Sequence, residues 1–124
     1  MGGKRNRSVG HRWERDCARA YRECGHPHVV TTRSESKARD DTGIDLMNKD
    51  EFKNGLLRDA PQCKCTLKNP DYHKLITELP EELGMPVVLH RKTEKQGKIF
   101  RVVGEYAIIR VEDFFKLISN GKFD

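Results

Sequence analysis

Apolar residues recur along this chain in two rhythms. Val9, Trp13, Cys17, Ala20, Tyr21 and Cys24 advance by threes and fours, the period of one face of a helix. Ser8 is placed to cap that helix, and Arg12, Arg15, Arg19 and Arg22 cover much of its other side. Gly25 ends it and Pro27 prevents its resumption. The rhythm then shortens. His28 to Arg33 is rich in β-branched residues and reads as a first strand, and Ile44 to Met47 as a second, with a polar loop from Ser34 to Thr42 between them. Asn48 to Gly55 is a polar turn region anchored by Phe52. Leu56 and Leu57 either open the third strand or belong to the turn before it. Pro61 cannot donate to a ladder, which puts the regular part of that strand at Gln62 to Leu67.

The second half repeats the alternation. Asn69 caps a helix with Pro70 at its first position, and Tyr72, Leu75, Ile76 and Leu79 form the face to be buried. Pro86 to His90 is a fourth strand and Ile99 to Val103 a fifth, joined by a charged turn from Thr93 to Gly97. Ala107 to Arg110 adds a short edge strand. Glu112 and Asp113 open a last helix that offers Phe114, Phe115, Leu117 and Ile118 to the core, and Gly121 stops it. The order predicts an α/β domain: a central mixed β-sheet of about five strands flanked by helices. Residues 1–7 read as a flexible basic arm and residues 8–124 as a single domain.

Composition narrows the setting. The chain has 124 residues, long enough for a real core, and equal apolar and charged fractions of 35%. No apolar run is long enough for a membrane span, and no apolar segment follows the basic N-terminus as a secretory signal would require. Cys17, Cys24, Cys63 and Cys65 are therefore expected as reduced thiols in a cytoplasmic protein. The net charge of +5 is uneven: residues 1–39 carry a balance of +6 and the rest −1. A polyanion docking on one region fits that polarity, against the plainer reading of a solvated basic end. Lys4, Arg5, Arg7, Arg12, Arg33, Ser34, Ser36, Lys37 and Arg39 are the candidate phosphate contacts.

Candidate chemistry lies between Gly43 and Lys64. Asp45 stands in one short apolar run and Gln62 and Lys64 in another. Pairing of the two runs would bring a carboxylate, a second oxygen donor and a lysine together. Residues 62 and 64 alternate on a strand and share a face. Phosphodiester hydrolysis needs an activated water, charge neutralisation and help for the leaving oxygen. Mg²⁺ or Mn²⁺ supplies much of that through hard oxygen ligands. Asp45, the Gln62 amide oxygen and the Cys63 backbone carbonyl are suitable ligands, and Lys64 could reach the attacking water or a phosphate oxygen. Each has a plain alternative: a turn cap beside Gly43 for Asp45, a half-buried strand position for Gln62, an exposed strand lysine for Lys64.

This arrangement resembles the PD-(D/E)xK nuclease superfamily, and within it the small archaeal-type Holliday junction resolvases, including those carried by phages. The resemblance runs from Gly10 to about Leu79. Glu14 matches the family's glutamate on the first helix, Asp45 its motif aspartate and Lys64 its motif lysine; Ser34 or Ser36 matches the loop serine. Ile44 replaces the motif proline, and Gln62 replaces the second motif carboxylate, which lowers the site's negative charge by one. The resemblance implies a restriction-endonuclease-like fold, catalytic Glu14, Asp45, Gln62 and Lys64, and a metal on Glu14, Asp45, Gln62 and the Cys63 carbonyl. It implies branched double-stranded DNA as substrate. Symmetric cutting of a four-way junction implies a homodimer, whose interface would use the C-terminal half, with Ile108, Ile109, Phe114 and Phe115.

Three other readings compete. Cys24, His26, His28, Cys63 and Cys65 could form a zinc module, although Cys-x-Cys spacing suits zinc less well than Cys-x₂-Cys. A non-catalytic DNA- or RNA-binding protein would use the basic first third alone. A flap, repair or restriction-type endonuclease would keep the site and change the substrate.

Overall fold

The computed structural model describes residues 3–35, 42–48, 59–80, 82 and 84–119, with backbone alone for 3–7, 34, 35 and 59. In chain order the elements are α1 (Gly3–Glu23), β1 (Val29–Thr31), α2 (Thr32–Glu35), β2 (Leu46–Asn48), β3 (Asp59–Thr66), α3 (Tyr72–Glu78), β4 (Met85–Gln96), β5 (Ile99–Ile108) and α4 (Val111–Ser119). β1 and β2 form an antiparallel pair, and β3, β4 and β5 a mixed sheet in that order. The architecture is α/β with two sheets, rather than one central sheet of five strands among the described residues.

The first helix begins at Gly3, ahead of the expected Ser8 cap, so the backbone of residues 3–7 continues the helix. Its C-terminus is closed as the sequence suggests. His26 N donates to Tyr21 O (3.0 Å) and Gly25 N to Arg22 O (3.3 Å), with Gly25 at φ +103°. These two bonds satisfy helix carbonyls that would otherwise lack a partner, and the positive φ favours glycine.

Trp13, Cys17 and Ala18 of α1 pack with Val29 and Leu46 into the main core, and half-buried Tyr21, Cys63, Cys65 and Leu89 complete it. Val9, Ala20 and Cys24, expected on the buried stripe, are exposed, while Ala18 is buried. The spine therefore runs Trp13–Cys17–Tyr21 at intervals of four, with Ala18 on its flank. The Trp13 indole N–H donates to Leu89 O (2.9 Å), and the Arg91 guanidinium lies 4.2 Å above the same ring. Arg91 also pairs with Asp16 (3.1 Å) and Glu105 (2.8 Å), tying the helix to β4 and β5. Ile44, Ala60 and Leu79 form a smaller buried cluster.

β3 and β4 are parallel, and α3 supplies the crossover that parallel pairing requires. Its cap is Asp71, not Asn69: the Asp71 carboxylate accepts from Lys74 N at 3.1 Å. β3 starts at Asp59 and runs through Pro61, against the expectation that proline would delay it. On a strand the N–H and C=O of one residue point to the same edge. Pro61 O accepts from Asp45 N (2.8 Å), so the proline nitrogen faces the β2 side and β4 loses no donor.

The expected fourth strand, fifth strand and edge strand form one long hairpin. Its turn is Gly97–Lys98 rather than Thr93–Gly97, with Gly97 at φ +61°. The charged residues that suggested a loop lie on strand ends exposed to water, where charge costs little. The final helix differs most from expectation. Phe114, Phe115 and Ile118 are exposed, and the buried residue is Asp113, held by Arg110 Nε at 2.8 Å.

His90 on β4 has no exposure, and no sequence pattern points to its surroundings. Thr66 Oγ1 donates to Lys68 O, so it accepts from His90 Nε2–H (2.8 Å). His90 Nδ1 is then left to accept from the Tyr72 hydroxyl (3.0 Å). The network fixes a neutral tautomer, and burial followed by Lys92 pushes the imidazole pKa down.

Among the described residues no helix is long and apolar enough to cross a membrane.

Candidate active site

The site forms at the seam where β2 and β3 part. Thr32 N donates to Asp45 O (2.9 Å) and Asp45 N donates to Pro61 O (2.8 Å), which fixes Asp45 between the end of β1 and the start of β3. Thr32 Oγ1 donates to Ile44 O (2.7 Å) and braces the same turn. Two residues beyond Pro61, Cys63 N points to the same edge. It donates to the Asp45 carboxylate at 2.7 Å, where a neighbouring strand would offer a backbone carbonyl. A side chain thus takes the place of a ladder bond and holds the two strands apart. By the same alternation the Cys63 carbonyl points to the Asp45 side of β3.

Glu14 reaches this region from α1. The Cys63 thiol pKa is raised first by its neighbour Cys17 and by burial, and then, to a smaller extent, by the Asp45 and Glu14 carboxylates. Cys63 is therefore held as a neutral thiol between two acids. Burial likewise raises the Cys65 thiol. The Glu14 carboxylate is mostly buried and lies 3.4 Å from Arg33 Nε, so this candidate phosphate contact is engaged with a candidate metal ligand.

Cys63 and Cys65 face α1, so Gln62 and Lys64 project from the opposite face of β3, the one that carries Ala60. Both are half-buried. Gln62 lies against the turn before Asp45: a Cβ built on Gly43 would stand 3.4 Å from Gln62 Nε2. Gly43 also has φ +91°, a conformation that side chains disfavour, so the close approach and the backbone both call for glycine there. Asp45 is thus bonded at the edge of β3, with the Cys63 thiol on the face toward α1 and the Gln62 position on the other. Lys64 pairs in register with His90, beside the Thr66–His90–Tyr72 network.

Two carboxylates, an amide oxygen and a backbone carbonyl are hard donors that suit Mg²⁺ or Mn²⁺. Among the described residues no three His, Cys, Asp or Glu side chains gather as a metal group, so any ion here would depend on the neutral oxygens. The zinc alternative has Cys24, His26 and His28 exposed after α1, while Cys63 and Cys65 pack on the core.

Of the candidate DNA contacts, Lys4, Arg5 and Arg7 lie on the α1 backbone and Ser34 on α2. Arg12 is exposed. Ser36, Lys37 and Arg39 lie outside the described residues, as do Phe52, Leu56 and Leu57. Sequence reasoning missed the Cys17–Cys63 thiol contact and the buried His90. The apolar spacing of Cys17 and the strand alternation that turns Cys63 toward the core were the signals for the first, and nothing in the sequence signalled the second.

Comparison with protein-family models, with curated proteins and with solved structures returns no match.

Proposed function

We propose that this protein is a metal-dependent, structure-selective DNA endonuclease that cuts four-way junctions by paired nicks, in the manner of the archaeal-type resolvases it resembles. The observation that carries the reading is the Asp45 carboxylate, held 2.7 Å from Cys63 N at the parting of two strands with Glu14 nearby. The element order supports it: a helix, three strands with the short α2 between the first two, a helix, and a fourth strand parallel to the third. The finer expectation of a restriction-endonuclease-like fold, with β1 to β5 continuing one sheet, rests on that order and on the Asp45 to Pro61 bond across the seam.

In this reading Asp45, Glu14, the Cys63 carbonyl and Gln62 hold Mg²⁺ or Mn²⁺. The ion, when bound, polarises the phosphodiester and lowers the pKa of a water. Lys64 places its ammonium against a phosphate oxygen or the attacking water. Gln62, neutral where the family has an acid, leaves Glu14 and Asp45 as the site's negative charge. Arg33 orients Glu14 and limits its repulsion with Asp45.

A four-way junction is two-fold symmetric, so symmetric nicking calls for a homodimer. β5 and α4 carry the apolar surface for it: Tyr106, Phe115 and Ile118 are 55%, 60% and 47% exposed. The test is mutational. Lys64→Ala is expected to bind a labelled junction with wild-type affinity and not cut it. Cleavage at the wild-type rate by Lys64→Ala would remove the lysine from the mechanism.

A further inference from the structure

The excess positive charge of the first third resolves into a groove. Arg15, Ala18, Arg19 and Arg22 of α1 line one side of an open cavity of about 280 Å³, and Val30 and Thr31 of β1 line the other. Arginines at intervals of four and three stand on one stripe of the helix, where like charges repel one another. The acids of α1 do not relieve them. Glu14 is turned to Arg33 and Asp16 to Arg91, Glu23 makes no ion pair among the described residues, and no carboxylate lines the groove among them. Arg22 Nη1 donates to Val29 O at 2.8 Å, which anchors one guanidinium across the end of the groove. Arg15 and Arg19 are exposed, and neither has an ion pair among the described residues.

From Arg15 to Arg22 the helix rises about 10 Å. One strand of B-DNA presents a phosphate for each 3.4 Å or so of axis and winds as it rises, so neighbouring phosphates stand further apart than that and the run suits about two of them. The groove is open rather than enclosed, which suits a continuous backbone better than a single bound nucleotide. We infer that the α1–β1 groove is a binding site for the sugar-phosphate backbone of a DNA duplex arm, with Arg15 and Arg19 as its phosphate contacts. This inference rests on the DNA-binding part of the function proposed above. It assigns duplex docking to residues apart from Glu14, Asp45, Gln62 and Lys64.

Anisotropy titrations of a labelled four-way junction and a linear duplex over a range of salt concentrations test it. Arg15→Gln/Arg19→Gln is compared with Lys95→Gln/Lys98→Gln, which removes the same charge from the exposed tip of the β4–β5 hairpin. Arg22 is left alone because it anchors the groove. The groove variant is expected to lose about ten-fold or more in affinity near 0.1 M salt, and its slope of log Kobs against log salt should fall by nearly two, at about 0.9 per phosphate contact. The hairpin variant should stay within about two-fold of wild type. Equal losses in the two variants, or an unchanged slope in the groove variant, would overturn the assignment. Wild-type protein that binds through the groove and never cuts would leave the groove standing and remove the nuclease. Wild-type protein that binds no DNA would remove both.

Discussion

Replacing Asp45 in two ways separates its structural role from its chemical one. The carboxylate accepts a partly buried hydrogen bond from Cys63 N at 2.7 Å. Asp45→Asn keeps an acceptor oxygen and loses the charge. A hydrogen bond to a charged group contributes about 1.5–3 kcal/mol and a neutral one about 0.5–1.5, so the substitution should cost about 1 kcal/mol. Asp45→Ala removes the acceptor and leaves the Cys63 N–H unpaired in the seam, at a cost of about 2 kcal/mol. For a domain of this size 1 kcal/mol moves Tm by about 3–6 °C. Thermal melts should therefore place the alanine variant about 6–12 °C below wild type and the asparagine variant within about 5 °C. Both should lose metal-dependent junction cleavage, because neither carries the charge. Equal melting of the two variants would refute the idea that the side chain stands in for a ladder bond. Full cleavage by Asp45→Asn would refute its role as a metal ligand.

Three further outcomes follow from other parts of the molecule. Gln62→Glu restores the missing acid and should shift the Mg²⁺ titration of cleavage to lower concentrations; an unchanged titration would mean that Gln62 points away from the ion. His90 has a depressed pKa when folded, so its contribution to stability is complete above the imidazole's ordinary 6.5 and is lost as pH falls below it. Urea midpoints between pH 8 and 5 should accordingly fall less steeply in His90→Gln than in wild type, and parallel curves would contradict the buried neutral tautomer. Phe115→Ser with Ile118→Ser should turn a dimer into a monomer in sedimentation while leaving the melting temperature nearly unchanged, since both side chains are exposed in the single chain. A persistent dimer would place the interface elsewhere.

The sequence disclosed its elements where local chemistry and packing agree. Trp13, Cys17 and Tyr21 repeat at one helical interval and Gly25 closes the turn, so α1 was legible almost to its last residue. Its start was not, because a basic helix end has no apolar stripe to mark it. Pro61 misled because the rule against proline in strands assumes a ladder partner for its nitrogen, and that nitrogen points away from β4, to the edge where the Pro61 carbonyl accepts from Asp45 N. Phe114, Phe115 and Ile118 carry the amphipathic spacing of a core helix, yet spacing cannot distinguish a face that packs within the chain from one left at its surface. At the site, Asp45 beside Gly43 and the Gln-x-Lys alternation gave the residues and their faces. The bond from Cys63 N to the Asp45 carboxylate and the ion pair of Glu14 with Arg33 join positions far apart in sequence, and no local pattern reports them.

The most direct test of the account is incubation of the wild-type protein with a labelled four-way junction, a linear duplex of the same sequence and a single strand, in Mg²⁺ and in EDTA. The account predicts paired, symmetric nicks across the junction in Mg²⁺, little cutting of the other two substrates, and none of any in EDTA. Binding of all three without a cut under Mg²⁺ or Mn²⁺, or cleavage that survives EDTA, would contradict it.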